Sequence, residues 1–133
     1  MTEFQSAKRL VQDHYAALEA AAPDTVAGAL AARCAPDVLW RGMHPWHEQT
    51  GPEAVAAAFW QPFLRAFGAV QRREDIFFAG RNEIDGFGST WVASMGHLMG
   101  LHDGAFLGIP PTGRIAMLRY AEFNKVDPFM EPA

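Results

Sequence analysis

The sequence has little of what several common classes of protein require. Its 133 residues include one cysteine, Cys34, which excludes an intramolecular disulfide and a cysteine-based metal cluster. The 11 Lys and Arg residues form no basic run and are outnumbered by 15 Asp and Glu, so we expect no nucleic-acid partner. No apolar run approaches the ~20 residues that span a bilayer, and the first residues do not resemble a signal peptide. We therefore predict a cytoplasmic protein that does not contact membranes.

What the sequence does have is enough apolar residues for one core. Half of the residues are hydrophobic, and a chain of this length is the size of one domain. We predict that residues 1–133 form a single domain.

The first half of the chain predicts helices. Apolar residues recur every three or four positions over residues 2–22, which is typical of an amphipathic helix. A second, alanine-rich helix follows Pro23 and ends before Pro36. A short strand is predicted at 38–44. Residues 51–53 open a third helix to about residue 67, in which Pro62 predicts a kink.

The second half predicts strands at 70–79, 89–101 and 114–126. Asp85-Gly86 is a favoured hairpin dipeptide between the first two, and residues 108–113 connect the last two. Helices first and strands afterwards predict the α+β class, with the N-terminal helices packed on one face of a curved antiparallel sheet.

Three motifs carry a resemblance to a known family. They are Gly51-Pro52-Glu53-Ala54-Val55 at the third helix, His102-x-Gly104 followed by Leu107-Gly108-Ile109-Pro110-Pro111-Thr112-Gly113-Arg114, and Tyr120-x-Glu122-Phe123. Together they resemble the SnoaL-like polyketide (ester) cyclases of the nuclear transport factor 2-like superfamily, over residues 36–126. The resemblance implies a cone-shaped fold of the cystatin-like, ketosteroid-isomerase-like kind, with a hydrophobic pocket between helices and sheet.

The chain departs from that family near its C-terminal end. Family members continue into one more strand and carry an acidic residue there, whereas residues 124–133 show no counterpart. We expect the last strand to be missing or altered. A truncated domain, one half of a longer two-domain protein and an edge completed by a partner chain all remain open. Because an unpaired edge favours pairing and domains of this fold pair through their sheets, we predict a homodimer.

Histidines are the first candidates for chemistry. His44 stands before Pro45 where ketosteroid isomerases have a carboxylate, and an imidazole titrates near neutral pH. A lid in which a His bonds the backbone is the alternative. Strand alternation places His97 and His102 on opposite faces unless a glycine between them makes a bulge. The resemblance favours His102 as the inward one, and a surface His at a strand end is the alternative.

Charges on the last strand are the second candidates. Glu122 and Arg119 alternate there, so one of them should face an apolar interior and require a partner. We predict that Glu122 forms an acid/base pair with a His, and a structural salt bridge is the alternative. His14 and Arg72 are interpreted as solvated or partner-facing charges.

The resemblance implies proton abstraction and return on a small hydrophobic carbonyl compound. His44 or His102 would be the base, with Glu122 as the paired acid, and Tyr120 or His97 would stabilise the enolate. The residues expected to contact substrate are Trp40, Trp46, His47, Trp60, Phe63, Met95, His97 and Tyr120. We expect no cofactor and no metal ion. A non-catalytic ligand-binding or dimerisation domain is the alternative function, and an epoxide hydrolase, which needs an Asp–Arg–Asp cluster with Tyr and Asn, is a lesser one.

Overall fold

The computed structural model describes residues 3–43 and 45–126. The elements in chain order are α1 (Glu3–Ala20), α2 (Val26–Arg33), β1 (Leu39–Arg41), β2 (Glu48–Thr50), α3 (Pro52–Val55), a π-helical turn (Ala56–Trp60), α4 (Gln61–Ala66), β3 (Phe67–Arg81), β4 (Thr90–His102) and β5 (Ile115–Val126). β1 pairs with β2, and β3, β4 and β5 form an antiparallel sheet in that order. The predicted α+β class is confirmed. Within the described ranges no helix is long and apolar enough to cross a membrane.

α1 follows the apolar spacing that predicts it. Ala7, Val11, Tyr15 and Leu18 are its buried residues, at intervals of three and four, and they form the stripe that packs on the sheet. The exposed residues of α1 are mostly polar or charged. Tyr15 is the one buried residue of the stripe with a polar group, and this places a hydroxyl at the helix–sheet boundary.

The third predicted helix contains a π-helical turn instead of a simple kink at Pro62. The N–H of Gln61 donates to the carbonyl of Ala56, five residues back. Pro62 has no N–H, and its ring would press on the carbonyl four residues earlier in a regular α-helix, so a wider turn just before it relieves both problems. Phe59 in the turn and Phe63 after it are both buried.

Strand β4 keeps its side-chain alternation along its whole length. Its pairing with β5 runs without a register shift from Thr90 to Leu101, and both register shifts in the sheet lie in β3. The glycines of β4 therefore do not turn a histidine around. His102 lies on the face that carries the helices, called the inner face below, and His97 lies on the opposite, outer face.

The connection between β3 and β4 is longer than the two-residue hairpin predicted from Asp85-Gly86. It occupies residues 82–89, where the Asn82 side chain accepts the N–H of Ile84 and the Asp85 side chain accepts the N–H of Gly88. These side chains satisfy backbone donors that a tight hairpin would pair, which stabilises the wider loop. Gly86 supplies the positive φ of 71° within it.

The His102-x-Gly104 motif ties the end of β4 to the end of α4. The N–H groups of Asp103 and Gly104 both donate to the carbonyl of Ala66, at 3.0 Å each. A Cβ at Gly104 would lie 2.6 Å from the carbonyl oxygen of Arg65, so only glycine fits there. The motif thus has a structural role that is separate from any chemistry of the imidazole.

Candidate functional site

Arg72 lies at the centre of a polar cluster on the inner face of the sheet. Its side chain is 4% exposed, and its Nη1 donates to Oε1 of Glu122 at 3.0 Å. The hydroxyl of Tyr15, on α1, donates to the other carboxylate oxygen at 2.9 Å. Glu122 is therefore bonded on both oxygens by groups from two different elements.

Two tyrosine rings pack against the Arg72 guanidinium. Its Cζ lies 3.6 Å from the ring centre of Tyr15 and 4.6 Å from that of Tyr120. The hydroxyl of Tyr120 shares a hydrogen bond of 2.8 Å with Ser94, and the Asn124 amide donates to the Tyr15 hydroxyl at 3.1 Å. The inner cluster comprises Tyr15, Arg72, Ser94, Tyr120, Glu122 and Asn124.

The inner cluster holds one positive and one negative charge. Burial lowers the pKa of Arg72, but Glu122 and Tyr15 raise it by more, so the net shift is upward and the guanidinium stays charged. Burial and then the neighbouring Glu122 raise the pKa of Tyr15, so its hydroxyl stays protonated and acts as a donor. The ion pair is thus surrounded by neutral hydrogen-bonding groups.

His14, on α1, adds a neutral imidazole beside this cluster. Burial lowers its pKa to about 4, against an opposing effect of Glu122. Its Nδ1 is buried and has no hydrogen-bond partner. At neutral pH the imidazole therefore adds no charge next to Glu122 and Arg72.

Two further buried nitrogens lack partners, Nη2 of Arg72 and Nε2 of His102. A cavity of about 10 Å³ borders Arg72, and its wall is formed by Tyr15, Leu18, Glu19, Trp60, Val70, Arg72 and Leu98. Such a volume has room for about one oxygen-sized atom. The Arg72 nitrogen is a donor without an acceptor in a largely apolar surrounding.

His102 lies far from Glu122 along the sheet. Ser94 is the residue of β4 that pairs with Glu122, and the interval from residue 94 to 102 corresponds to roughly 26 Å of strand. The structure therefore does not bring His102 and Glu122 together as an acid/base pair. The imidazole that interacts electrostatically with Glu122 is that of His14.

The side chain of His102 is oriented by its neighbours. Its Nδ1 is 3.3 Å from the hydroxyl of Thr112, in the connection that leads to β5. Its ring stacks on Phe67 with centroids 4.9 Å apart, and the residue is 6% exposed. The inward direction expected from the resemblance is found, within an aromatic environment.

Four of the residues predicted to contact substrate meet in an aromatic cluster around Phe59. Trp40 stacks on Phe59 with centroids 6.0 Å apart, and Trp46 and Trp60 meet its ring edge-on at 5.0 Å each. Phe63 stacks on it at 5.2 Å. Trp40 and Trp46 of the β1–β2 hairpin thus pack against Phe59 of the π-helical turn.

The other predicted residues are dispersed. His47 is exposed in the same hairpin, and His44 lies outside the described residues. Met95 and His97 lie on the outer face, where Nδ1 of His97 is 3.6 Å from the carboxylate of Asp75. Among the described residues, Met95 and His97 lie on the opposite face of the sheet from the inner cluster.

The outer face carries the larger of the two cavities we describe. It has a volume of about 340 Å³ and lies near the β3–β4 loop, lined by Phe78, Gly80, Arg81, Asn82, Trp91, Ala93 and Phe123. Phe78, Trp91 and Phe123 are its aromatic residues. In the part of the chain with described coordinates, no group of three or more His, Cys, Asp or Glu side chains could hold a metal ion.

The fold is similar to a solved structure. A candidate SnoaL-like polyketide cyclase from Jannaschia sp. CCS1 superimposes with a TM-score of 0.71 and 18% sequence identity, over 96% of this chain and 81% of that chain. No family model matches the sequence, and no curated protein does. At 18% identity the likeness shows the fold. The chain has a SnoaL-like cone fold.

This likeness confirms the cone architecture implied by the motifs. The pairing and burial of β5 place Glu122 and Tyr120 on the inner, helix-covered face of the sheet. Arg119 faces the other way, so the predicted choice between Glu122 and Arg119 falls on Glu122.

Arg72 and His14 are the residues that the sequence interpretation misplaced. The sequence predicts solvated or partner-facing charges at both positions, whereas Arg72 is buried and His14 is mostly buried. One signal could have found Arg72, because it has the same strand parity as the apolar Val70. The shift in pairing between Glu74 and Ile76 hides the parity of Arg72 relative to Phe77, which also faces inward.

Proposed function

We propose that this SnoaL-like chain is a small-molecule enzyme of the cyclase or isomerase type that moves a proton on a hydrophobic carbonyl compound. One observation carries the proposal. Glu122 and Tyr120, both candidate residues from the sequence, contact the same buried guanidinium next to a largely apolar core. A carboxylate beside fixed donors suits proton abstraction next to a carbonyl group.

The proposed step uses Glu122 as the base. The carboxylate takes a proton from the carbon next to the carbonyl, and the electron pair of that C–H bond forms a carbon–carbon double bond. The π pair of the carbonyl group moves onto its oxygen, which gives an enolate. Glu122 then returns the proton to a carbon of the same molecule. Its oxygens already accept one hydrogen bond each, but each has a second lone pair available for the proton.

Assigning the base to Glu122 changes the expected role of the histidines. His102 is too distant along the sheet for one small substrate to contact both groups. A role for His102 or His44 as the base stays a prediction, and His102 would then define a second centre at the other end of β4. The aromatic cluster around Phe59 provides the hydrophobic wall for substrate.

The test measures exchange of the hydrogens next to the carbonyl in a panel of cyclic ketones, followed by NMR in D2O. We expect Glu122→Gln to slow exchange by at least about 100-fold, the usual contribution of a positioned base. The control is Arg119→Gln, a comparable change on the outer face of the same strand, which should exchange at the wild-type rate. Unfolding temperatures confirm that both variants are folded. A Glu122→Gln protein that exchanges as fast as the wild type would contradict the proposal.

A second candidate function follows from the outer face of the sheet. Ile115 is 70% exposed and Phe123 is 71% exposed there, and Phe78 and Met117 are also exposed. Contiguous exposed apolar surface marks sites of protein association. We propose that this face pairs with a second copy of the chain, and that a non-catalytic ligand-binding or dimerisation domain is the alternative to the enzyme.

A further inference from the structure

We infer that Arg72 is the specificity-determining residue of the inner cluster, and that its Nη2 binds the oxygen of a neutral ligand with a single carbonyl group. The inference rests on the proposed function, because it concerns the same site. It assigns to Arg72 a contact that neither the motifs nor the fold comparison provides.

Nη2 is the terminal nitrogen of the guanidinium that is left for a ligand. The rings of Tyr15 and Tyr120 pack against the guanidinium, and Nη1 donates to Glu122. Nη2 is buried without a partner, on a side chain that is 4% exposed. Because a buried donor without an acceptor is unfavourable, an acceptor atom placed in the plane of the guanidinium at Nη2 would be bound strongly.

The space beside Arg72 limits what that acceptor can be. The cavity of about 10 Å³ admits one oxygen-sized atom. Leu18, Val70 and Leu98 form much of the wall and have no hydrogen-bonding side chain. A carbonyl group needs one donor, whereas the second oxygen of a carboxylate would lie among these apolar side chains. The carbon skeleton of the ligand has to displace Trp60, the largest side chain of the wall.

Charge favours the same class of ligand. Arg72 and Glu122 neutralise each other, and Tyr15 and His14 are uncharged near neutral pH. Glu19, whose carboxylate accepts the backbone N–H of Arg72 at 2.6 Å, also lines the cavity. An anionic ligand would therefore add a negative charge next to the carboxylates of Glu122 and Glu19. A neutral carbonyl avoids this, and the negative charge of an enolate would develop directly beside the guanidinium.

The test compares three probes of similar size, cyclohexanone, methylenecyclohexane and cyclohexanecarboxylate. Each is titrated into 15N-labelled protein, and the Arg72 Nε–H and Trp60 indole N–H signals are followed by NMR. We expect cyclohexanone to shift both signals and to bind at least about tenfold more tightly than methylenecyclohexane, as one hydrogen bond to a charged donor implies. Cyclohexanecarboxylate should bind no better than methylenecyclohexane. Equal affinity for the ketone and the alkene, or a preference for the carboxylate, would overturn the inference.

Variants test whether Arg72 causes the preference for the ketone over the alkene. Arg72→Met should bind the ketone and the alkene equally, and Arg119→Met, the same change on the outer face, should keep the wild-type ratio. Since Arg72→Met leaves Glu122 without its ion-pair partner, the double variant Arg72→Met with Glu122→Met provides the same readout if the single variant fails to fold. A ketone preference that persists in either variant would overturn the inference.

The outcomes for this inference and for the proposed function are separate. A wild-type protein that prefers the ketone but does not exchange its hydrogens contradicts only the proton-transfer function. A protein that exchanges hydrogens with no ketone preference contradicts only the assignment to Arg72.

Discussion

His14 links the stability of the chain to pH. Its pKa in the folded protein is about 4, lowered by burial from 6.5. Between these values the unfolded chain binds a proton that the native chain does not bind. The free energy of unfolding is therefore highest above about pH 6.5 and decreases as the pH falls toward 4, where both states become protonated.

Replacing His14 should remove this part of the pH dependence. From about pH 7.5 to about pH 5, we expect the wild type to lose about 2 kcal/mol more stability than His14→Gln, because only the wild type carries the depressed imidazole pKa. Urea unfolding at both pH values gives the two differences. The carboxylates Glu3 and Asp85, which also have lowered pKa values, contribute equally in both proteins. Parallel losses in the two proteins would rule out His14 as the cause.

Individual residues could be assigned to faces where pairing is regular. Alternation predicted that Glu122 and Arg119 face opposite ways, and likewise His97 and His102, and both relations are found because β4 and β5 pair without a register shift. Arg72 could not be placed in this way, because β3 changes register twice and the strand around it is rich in charge. The members of the inner cluster that lie on β5 could therefore be predicted from the sequence, whereas Arg72 on β3 could not.

Among the elements, β3 depends on a glycine in its partner strand. The register shift between Glu74 and Ile76 brings the backbone of β3 over Gly96, where a Cβ would clash with the carbonyl oxygen of Arg73 and lie 3.1 Å from Cα of Glu74. The irregularity keeps both Arg72 and Phe77 on the inner face. Gly96 is therefore a structural requirement of the inner cluster.

We expect Gly96→Ala to reduce the free energy of unfolding by about 1–3 kcal/mol, since the backbone of β3 has to move. Gly80→Ala is the matched control, because a Cβ at Gly80 meets nothing within 4 Å. It should be neutral or slightly stabilising. Chemical denaturation of both variants measures the effect, and an unchanged Gly96→Ala midpoint would show that the strand accommodates the methyl group.

Element types were predictable and their irregularities were not. The apolar spacing of α1 and the order of the three long strands matched the structure closely. The π-helical turn before Pro62 and the long loop at 82–89 depend on local backbone hydrogen bonds that side-chain periodicity does not encode.

At the scale of the whole molecule, the exposed outer face predicts self-association. Phe123 is 71% exposed on this face and borders the cavity of about 340 Å³. We expect the wild type to have the mass of a dimer in light scattering. Phe123→Glu should shift it to a monomer, because a buried carboxylate in the interface would lack a partner.

The control for that measurement is Lys125→Glu, which adds negative charge to the outer face of the same strand without removing apolar surface. It should remain dimeric. A wild-type monomer at working concentration would contradict the predicted homodimer and weaken the second candidate function.

The fold as a whole was predictable because its motifs occupy structural positions. Gly104 and the connection at 108–113 join α4, β4 and β5, so they depend on the fold and little on the ligand. The positions of the residues predicted to contact substrate were predictable only in part. The aromatic residues converge around Phe59, but the direction of Met95 and His97 follows from pairing that the resemblance did not address.

The π-helical turn sets the rotation about the helix axis between the side chains of α3 before it and those of α4 after it. One residue rotates an α-helix by about 100°, so a helix with one residue fewer between Val55 and Phe63 would turn everything after the deletion by that angle. Phe63, now 1% exposed, would leave the ring of Phe59, and the wall facing the sheet would be built from different side chains. A single-residue insertion or deletion in this helix is therefore a route by which related chains could exchange one pocket shape for another while keeping every other element in place.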